Sequence, residues 1–214
     1  MAEELRVSFH RALEQIDQRV VRLFALVADA IGGGTHALLS GDREVARSIT
    51  EREDLIDSLY VEVEQLVNSQ FALNSPVAGE LRFLLTVLRI VPELERSHDL
   101  AEHIARRGTL GLQEELSPRA RGLVARMGDL GVEMWRDAAE AWATRDQASA
   151  HRLDLLDDEM DDLHTTLTSE LASGRMTLPV AMDMALVARF YERLGDHAVN
   201  IARRVVYLAM GDLS

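Results

Sequence analysis

Eight carboxylates recur as four pairs of one spacing: Glu53 with Asp57, Glu95 with Asp99, Asp157 with Asp161, and Glu192 with Asp196. In each pair an acid is followed four residues later by aspartate. On a helix such residues share a face, and like charges there repel by roughly a few tenths of a kcal/mol. No lysine relieves them, because all 23 basic residues are arginine. Helices packed ~8 to 10 Å apart could bring two pairs into a cluster of four carboxylates, whose repulsion a cation would neutralise. Oxygen-only ligands favour hard ions such as magnesium, calcium, manganese or ferric iron over zinc. A polar outer face of a helix carries the same pattern, so a metal cluster and a solvated acidic face are both open readings of these residues.

Composition narrows the remaining chemistry. The absence of lysine excludes a Walker-type phosphate loop, a Schiff base and a lysine general base, and the absence of cysteine excludes thiol nucleophiles, disulfides, iron–sulfur clusters and thiolate zinc sites. The net charge of −13 is divided almost evenly, −6 up to Gly108 and −7 beyond it. No segment supplies the basic stripe that displaces counterions from nucleic acid, so no nucleic-acid partner is expected. No uncharged apolar run approaches the ~18 to 20 residues of a membrane span. The opening "MAEELRVSFH" is too acidic and polar for a signal peptide. The expectation is a cytoplasmic protein that meets membranes only peripherally, through partners.

The elements that must position the acids are helices. Of 214 residues 47% are apolar, only four are proline, and Ala, Leu, Arg and Glu abound, a composition that favours an all-α core. Hydrophobic periodicity predicts six helices, at 3–40, 42–71, 76–107, 116–144, 146–172 and 178–210. Breaks fall at Gly41–Asp42, Asn74–Pro76, Gly108–Pro118, Thr144–Asp146 and Ser173–Arg175, each with glycine, proline or N-cap residues. Three glycines, Gly32 to Gly34, predict a kink or an end within the first helix.

The order repeats. "ERSHDLAEHIARR" at Glu95–Arg107 matches "ERLGDHAVNIARR" at Glu192–Arg204 at an offset of 97, and Asp42, Glu53, Asp57 and Leu59 match Asp146, Asp157, Asp161 and Leu163 at an offset of 104. This is an internal duplication, and the predicted architecture is two tandem antiparallel three-helix bundles, 1–108 and 109–214. On the last helix Val180, Met184, Val187, Tyr191, Leu194, Ala198, Ile201 and Val205 form the core stripe. That stripe puts Glu192 and Asp196 near the opposite side. The other three pairs are predicted to point away from the core likewise.

Competing motifs are weaker. "ERSH" (Glu95–His98) matches the Glu-x-x-His of ferritin-like di-iron bundles, but Gly195 stands where a second copy would need histidine. A metal-dependent bundle enzyme and a metal-free helical adaptor are nevertheless the rival readings. His98, His103, His164 and His197 lie on the acidic helices as candidate outer ligands or structural residues. Trp135 and Trp142 are expected in the core, and no Ser, His and Asp set suggests nucleophilic catalysis.

With both acid-xxx-Asp repeats and the form "ERLGDHAVNIARR" in view, the chain resembles the PhoU family over nearly its whole length. The resemblance implies a protein that is not an enzyme: a cytoplasmic negative regulator that couples the phosphate ABC transporter, through its ATPase subunit, to a sensor histidine kinase. It also implies a homodimer and a multinuclear metal cluster, of iron in preference to manganese, magnesium or zinc. The ligands would be Glu53, Asp57, Glu95 and Asp99 in one repeat, and Asp157, Asp161, Glu192 and Asp196 in the other. The first copy departs from the family pattern, with His98 in place of the usual glycine and His103 in place of asparagine.

Overall fold

The computed structural model describes residues 2–145 and 148–210. Seven α-helices account for most of them: α1 (Ala2–Ser40), α2 (Arg43–Thr50), α3 (Glu53–Leu73), α4 (Ala78–Gly108), α5 (Pro118–Thr144), α6 (Ala148–Ala172) and α7 (Leu178–Met210), with a 3-10 turn at Leu112–Glu114. No strand occurs among the described residues. The expected breaks are present. Asp42 caps α2 by accepting from the N–H groups of Glu44 and Val45, and Ser117 caps α5 by accepting from Ala120, with Pro118 in the first turn. Asp146, the predicted start of the fifth helix, lies outside the described residues.

Two expectations need correction. The single helix predicted over 42–71 is divided at Glu51–Arg52. There the Arg52 N–H turns back to the Ile49 carbonyl, while the Arg52 carbonyl accepts from Leu55 and Ile56. The break lets Ala46 and Ile49 of α2 and Ile56 and Leu59 of α3 all face inward. Conversely, α1 runs unbroken through Gly32–Gly34. A Cβ on Gly34 would lie 2.8 Å from the Ala101 carbonyl oxygen, and one on Gly33 would lie 3.1 Å from Ile49. These glycines serve close helix contact, and the packing gained offsets the ~1 kcal/mol that each costs in a helix interior.

The two three-helix units share one core. α1 runs parallel to α4, with Gly34 by Ala101 and Ala37 by Gly108, and antiparallel to α5, with Asp17 by Arg145 and Leu39 by Arg121. α4 is antiparallel to α7, with Ser97 by His197 and Arg107 by Asp183. α1, α4, α5 and α7 therefore form a central layer, flanked by α2 and α3 on one side and α6 on the other. Trp135 and Trp142 are fully buried, as expected, and the Trp135 indole N–H donates to the Leu194 carbonyl at 3.1 Å. Thr35 and Tyr191 hydroxyls meet at 2.7 Å across the repeats.

The stretch Arg6–Ser40 is long and apolar enough, by composition, to cross a membrane, but half of its most apolar window is buried against the other helices. Core packing accounts for that hydrophobicity.

Candidate functional site

Each repeat has a groove between its two acid-bearing helices. α6 and α7 form one. They run antiparallel, so Asp157 and Asp161 come opposite Glu192 and Asp196, and Arg203 reaches Asp154 at 3.1 Å one turn away. α3 and α4 form the other, with Glu53 and Asp57 facing Glu95 and Asp99. All four predicted pairs are thus brought together two by two. Four of the eight face away from the core as expected, and the other four are drawn inward. Glu95, Asp99, Asp157 and Glu192 are half-buried at the groove floor, while Glu53, Asp57, Asp161 and Asp196 are exposed at its rim. α7 buries a wider arc than its apolar stripe, including Ala188, Gly195, His197 and Val199, and this draws Glu192 inward.

The second groove is electrostatically loaded. Burial, then the nearby Asp161, Asp196 and Glu192 charges, push the Asp157 carboxyl up to about 6, against a small opposing pull from Arg203. Burial and then Asp196 also raise Glu192. One Glu192 oxygen is held by Arg189, while Oε2 is buried without a hydrogen-bond partner. Asp157 leans over Gly195: a Cβ there would stand 2.8 Å from Asp157 Oδ1. His164 lies near enough to pull the Glu192 carboxyl downward.

The first groove is built differently. His98 takes the place of Gly195, is 1% exposed, and has both ring nitrogens buried without partners. Burial, outweighing Glu102, holds its pKa below the usual histidine value. Burial likewise raises Glu95 and Asp99, whereas Glu53 is raised chiefly by the charge of Glu102. Glu102 was not among the predicted acids. It is 5% exposed and accepts from Arg106 at 2.8 Å. Its sequence signal is position: it follows His98 by four residues, and its counterpart in the second copy is Val199. His103 stays exposed and stacks on Phe190, with ring centroids 5.6 Å apart.

The donor chemistry of both grooves suits a hard cation, which would neutralise carboxylates that now raise one another's pKa. Among the described residues no three His, Asp or Glu side chains stand close enough to hold an ion as they are, so ligation requires side-chain rotation. The fit is therefore one of charge and ligand type, not of a finished cage.

The fold also assembles a set that sequence reading missed. Ser97 Oγ lies 2.8 Å from His197 Nδ1, and His197 Nε2 lies 3.4 Å from Glu93. The order resembles a Ser-His-acid triad, but Ser97 is fully buried and its hydroxyl donates to the Glu93 carbonyl at 2.6 Å. It is a polar clasp between α4 and α7, with no nucleophile presented to solvent. The signal was hidden because its members come from both repeats.

Comparison with known proteins agrees with the internal duplication. The family model described as the PhoU domain matches twice, at residues 20–108 and 124–205. The chain is 32% identical over 210 residues to phosphate-specific transport system accessory protein PhoU homolog 2 of Mycobacterium tuberculosis, covering 97% of this chain and 99% of that protein. Among solved structures it is similar to PhoU from Pseudomonas aeruginosa, with a TM-score of 0.88 and 28% identity over 95% of this chain and all of that one. It is also similar to the phosphate transport system regulatory protein PhoU from Streptococcus pneumoniae, with a TM-score of 0.84 and 25% identity over 96% and 99% of the two chains.

Proposed function

We propose a function on one premise: the chain belongs to the PhoU family. It is an accessory protein that regulates phosphate transport, works in the cytoplasm as a homodimer, and performs no catalysis. When phosphate is plentiful it holds the starvation response off by linking the ATPase subunit of a phosphate ABC transporter to a sensor histidine kinase. Each repeat, 1–108 and 109–214, carries a multinuclear metal cluster, iron foremost, on its acidic groove. The bound ions fix those faces for docking.

The observation that carries this reading is the recurrence of an acidic, self-repelling groove in each repeat. Repulsion at Asp157, Glu192, Glu95 and Asp99 is retained in a fold whose core is otherwise well packed, and bound cations would give it a use. Exposed Leu178, Met182 and Leu186, one turn apart on α7, supply an apolar row suited to a protein contact.

Two measurements test the reading separately. Elemental analysis of protein stripped and reloaded with iron, manganese, magnesium or zinc should find more than one ion per chain, and a Glu192→Ala/Asp196→Ala variant should retain fewer. No tight binding of any ion would remove the clusters from the proposal. A strain lacking the gene should express phosphatase in rich phosphate; normal repression there would refute the regulatory role.

A further inference from the structure

At the offset of 97 that superposes the two motif helices, two positions of the first groove have no ligating counterpart in the second. His98 falls on Gly195 and Glu102 on Val199. Both first-repeat residues can ligate a metal, and neither second-repeat residue can. Four residues apart, His98 and Glu102 share one face of α4, the spacing at which a helix offers two ligands to one ion.

His98 is the anomaly in this pair. A buried imidazole ordinarily finds a partner for at least one nitrogen, because one is a donor and the other an acceptor. Here both are enclosed and idle. The charged groups around the ring are Glu102 on its own helix, Asp57 on α3 and Arg52 at the α2–α3 break. Glu53, also on α3, has Glu102 as its strongest charged neighbour. One imidazole and three carboxylates therefore face the same end of the first groove, with Arg52 and Arg106 at its edge.

We propose that His98 and Glu102, completed by Glu53 and Asp57 across the groove, form a mixed nitrogen–oxygen site for a borderline divalent cation of the zinc class. The two repeats then select different metals. The second groove, with four carboxylates and His164 beside Glu192, has no imidazole at the position of His98 and takes a hard ion, while His98 makes one position of the first groove suited to zinc. Occupation requires Glu102 to leave Arg106 and turn toward the ring, since no three donors stand at ligating distance before the ion arrives. The inference rests on the reading that the acidic grooves bind metal.

The test uses the full chain with Glu192→Ala and Asp196→Ala, so that the second groove is silenced. Zinc is titrated by calorimetry, manganese is titrated in parallel, and X-ray absorption at the zinc edge reports the ligand atoms. One tight zinc per chain with an imidazole in its shell is expected. His98→Gln should weaken zinc at least about 10-fold, in the range of a lost tuning contact or more, and leave manganese within a factor of ~3. His103→Ala, which removes the exposed neighbouring imidazole, should change neither.

An all-oxygen shell around zinc, loss of the imidazole signal in His103→Ala, or unchanged zinc affinity in His98→Gln would each overturn the assignment while leaving the acidic grooves as metal sites. Failure of every ion to bind the unsubstituted chain would overturn both readings. The absorption measurement is made with His98 in place and with His164→Ala added to the background, so the imidazole signal cannot come from the second groove and the result stands even if His98→Gln does not fold.

Discussion

The two grooves have the same acid spacing and the same helix pairing, yet they differ at two positions one turn apart beneath the acids. Under the second lies Gly195, which leaves room for Asp157 to lean inward until its carboxyl is pushed up to about 6. Under the first lies His98, itself buried, and the corresponding α3 acid, Glu53, stays exposed at the rim. Glu102 then enters the first groove from the position that Val199 occupies in the second. The acid-xxx-Asp spacing thus specifies only that a groove is acidic. How deeply its carboxylates are held, and which atoms they meet, is set by the side chain beneath.

The largest expected effect tests whether the grooves are independent. Glu192→Ala/Asp196→Ala and Glu95→Ala/Asp99→Ala should each weaken metal binding in their own groove by more than the roughly 100-fold typical of outer-shell changes. Each should leave the other groove within a few-fold, as distant sites without shared partners behave. Calorimetric titration of both variants checks this. If either double variant empties both grooves, the comparison between them fails and a single shared cluster must replace it.

A second comparison sets glycine against glycine. A Cβ on Gly108 would lie 2.4 Å from the Ala37 carbonyl oxygen, backbone against backbone, whereas a Cβ on Gly195 would crowd only the movable end of Asp157 and make ordinary contacts with Met134 and Met160 at 3.4 and 3.5 Å. Gly108→Ala should therefore destabilise the fold by about 2 kcal/mol in denaturant unfolding, the cost of forcing packed helices apart. Gly195→Ala should be neutral or gain up to ~1 kcal/mol from helix propensity, while weakening metal binding in the second groove. Equal losses of stability would mean that Asp157 is as firmly placed as a backbone carbonyl.

The duplication, the helical class and the pairing of the acids followed from spacing, because residues four apart share a helix face whatever surrounds them. The depth of the acids did not. A stripe read from large apolar residues undercounts burial where small or polar residues, here Ala188, Gly195 and His197, pack against a neighbouring helix. The break at Glu51–Arg52 was also illegible, since no glycine or proline marks it and only the inward turn of Ile49 and Ile56 requires it. Glu102 stands outside the repeated spacing, and that absence of a counterpart makes it informative.

The smallest effect asks whether the strain in the second groove is felt by the whole molecule. The Asp157 carboxyl binds its proton more tightly in the folded chain, near pH 6, than in the unfolded chain, near its ordinary 3.8. Its contribution to stability is therefore complete below about pH 4 and is lost as pH rises through about 6. Because the group is only half-buried, solvent screening reduces the contribution to about 1 kcal/mol. Chelator-treated protein should melt at a higher temperature at pH 5 than at pH 7.5. Asp157→Asn should remove part of that difference by raising the melting temperature at pH 7.5. A bound cation should oppose the trend, since its carboxylate ligands must be ionised and its stabilisation grows with pH. If Asp157→Asn leaves the pH dependence untouched, neither burial nor the three acidic neighbours strain Asp157, and the electrostatic contrast between the two floors disappears.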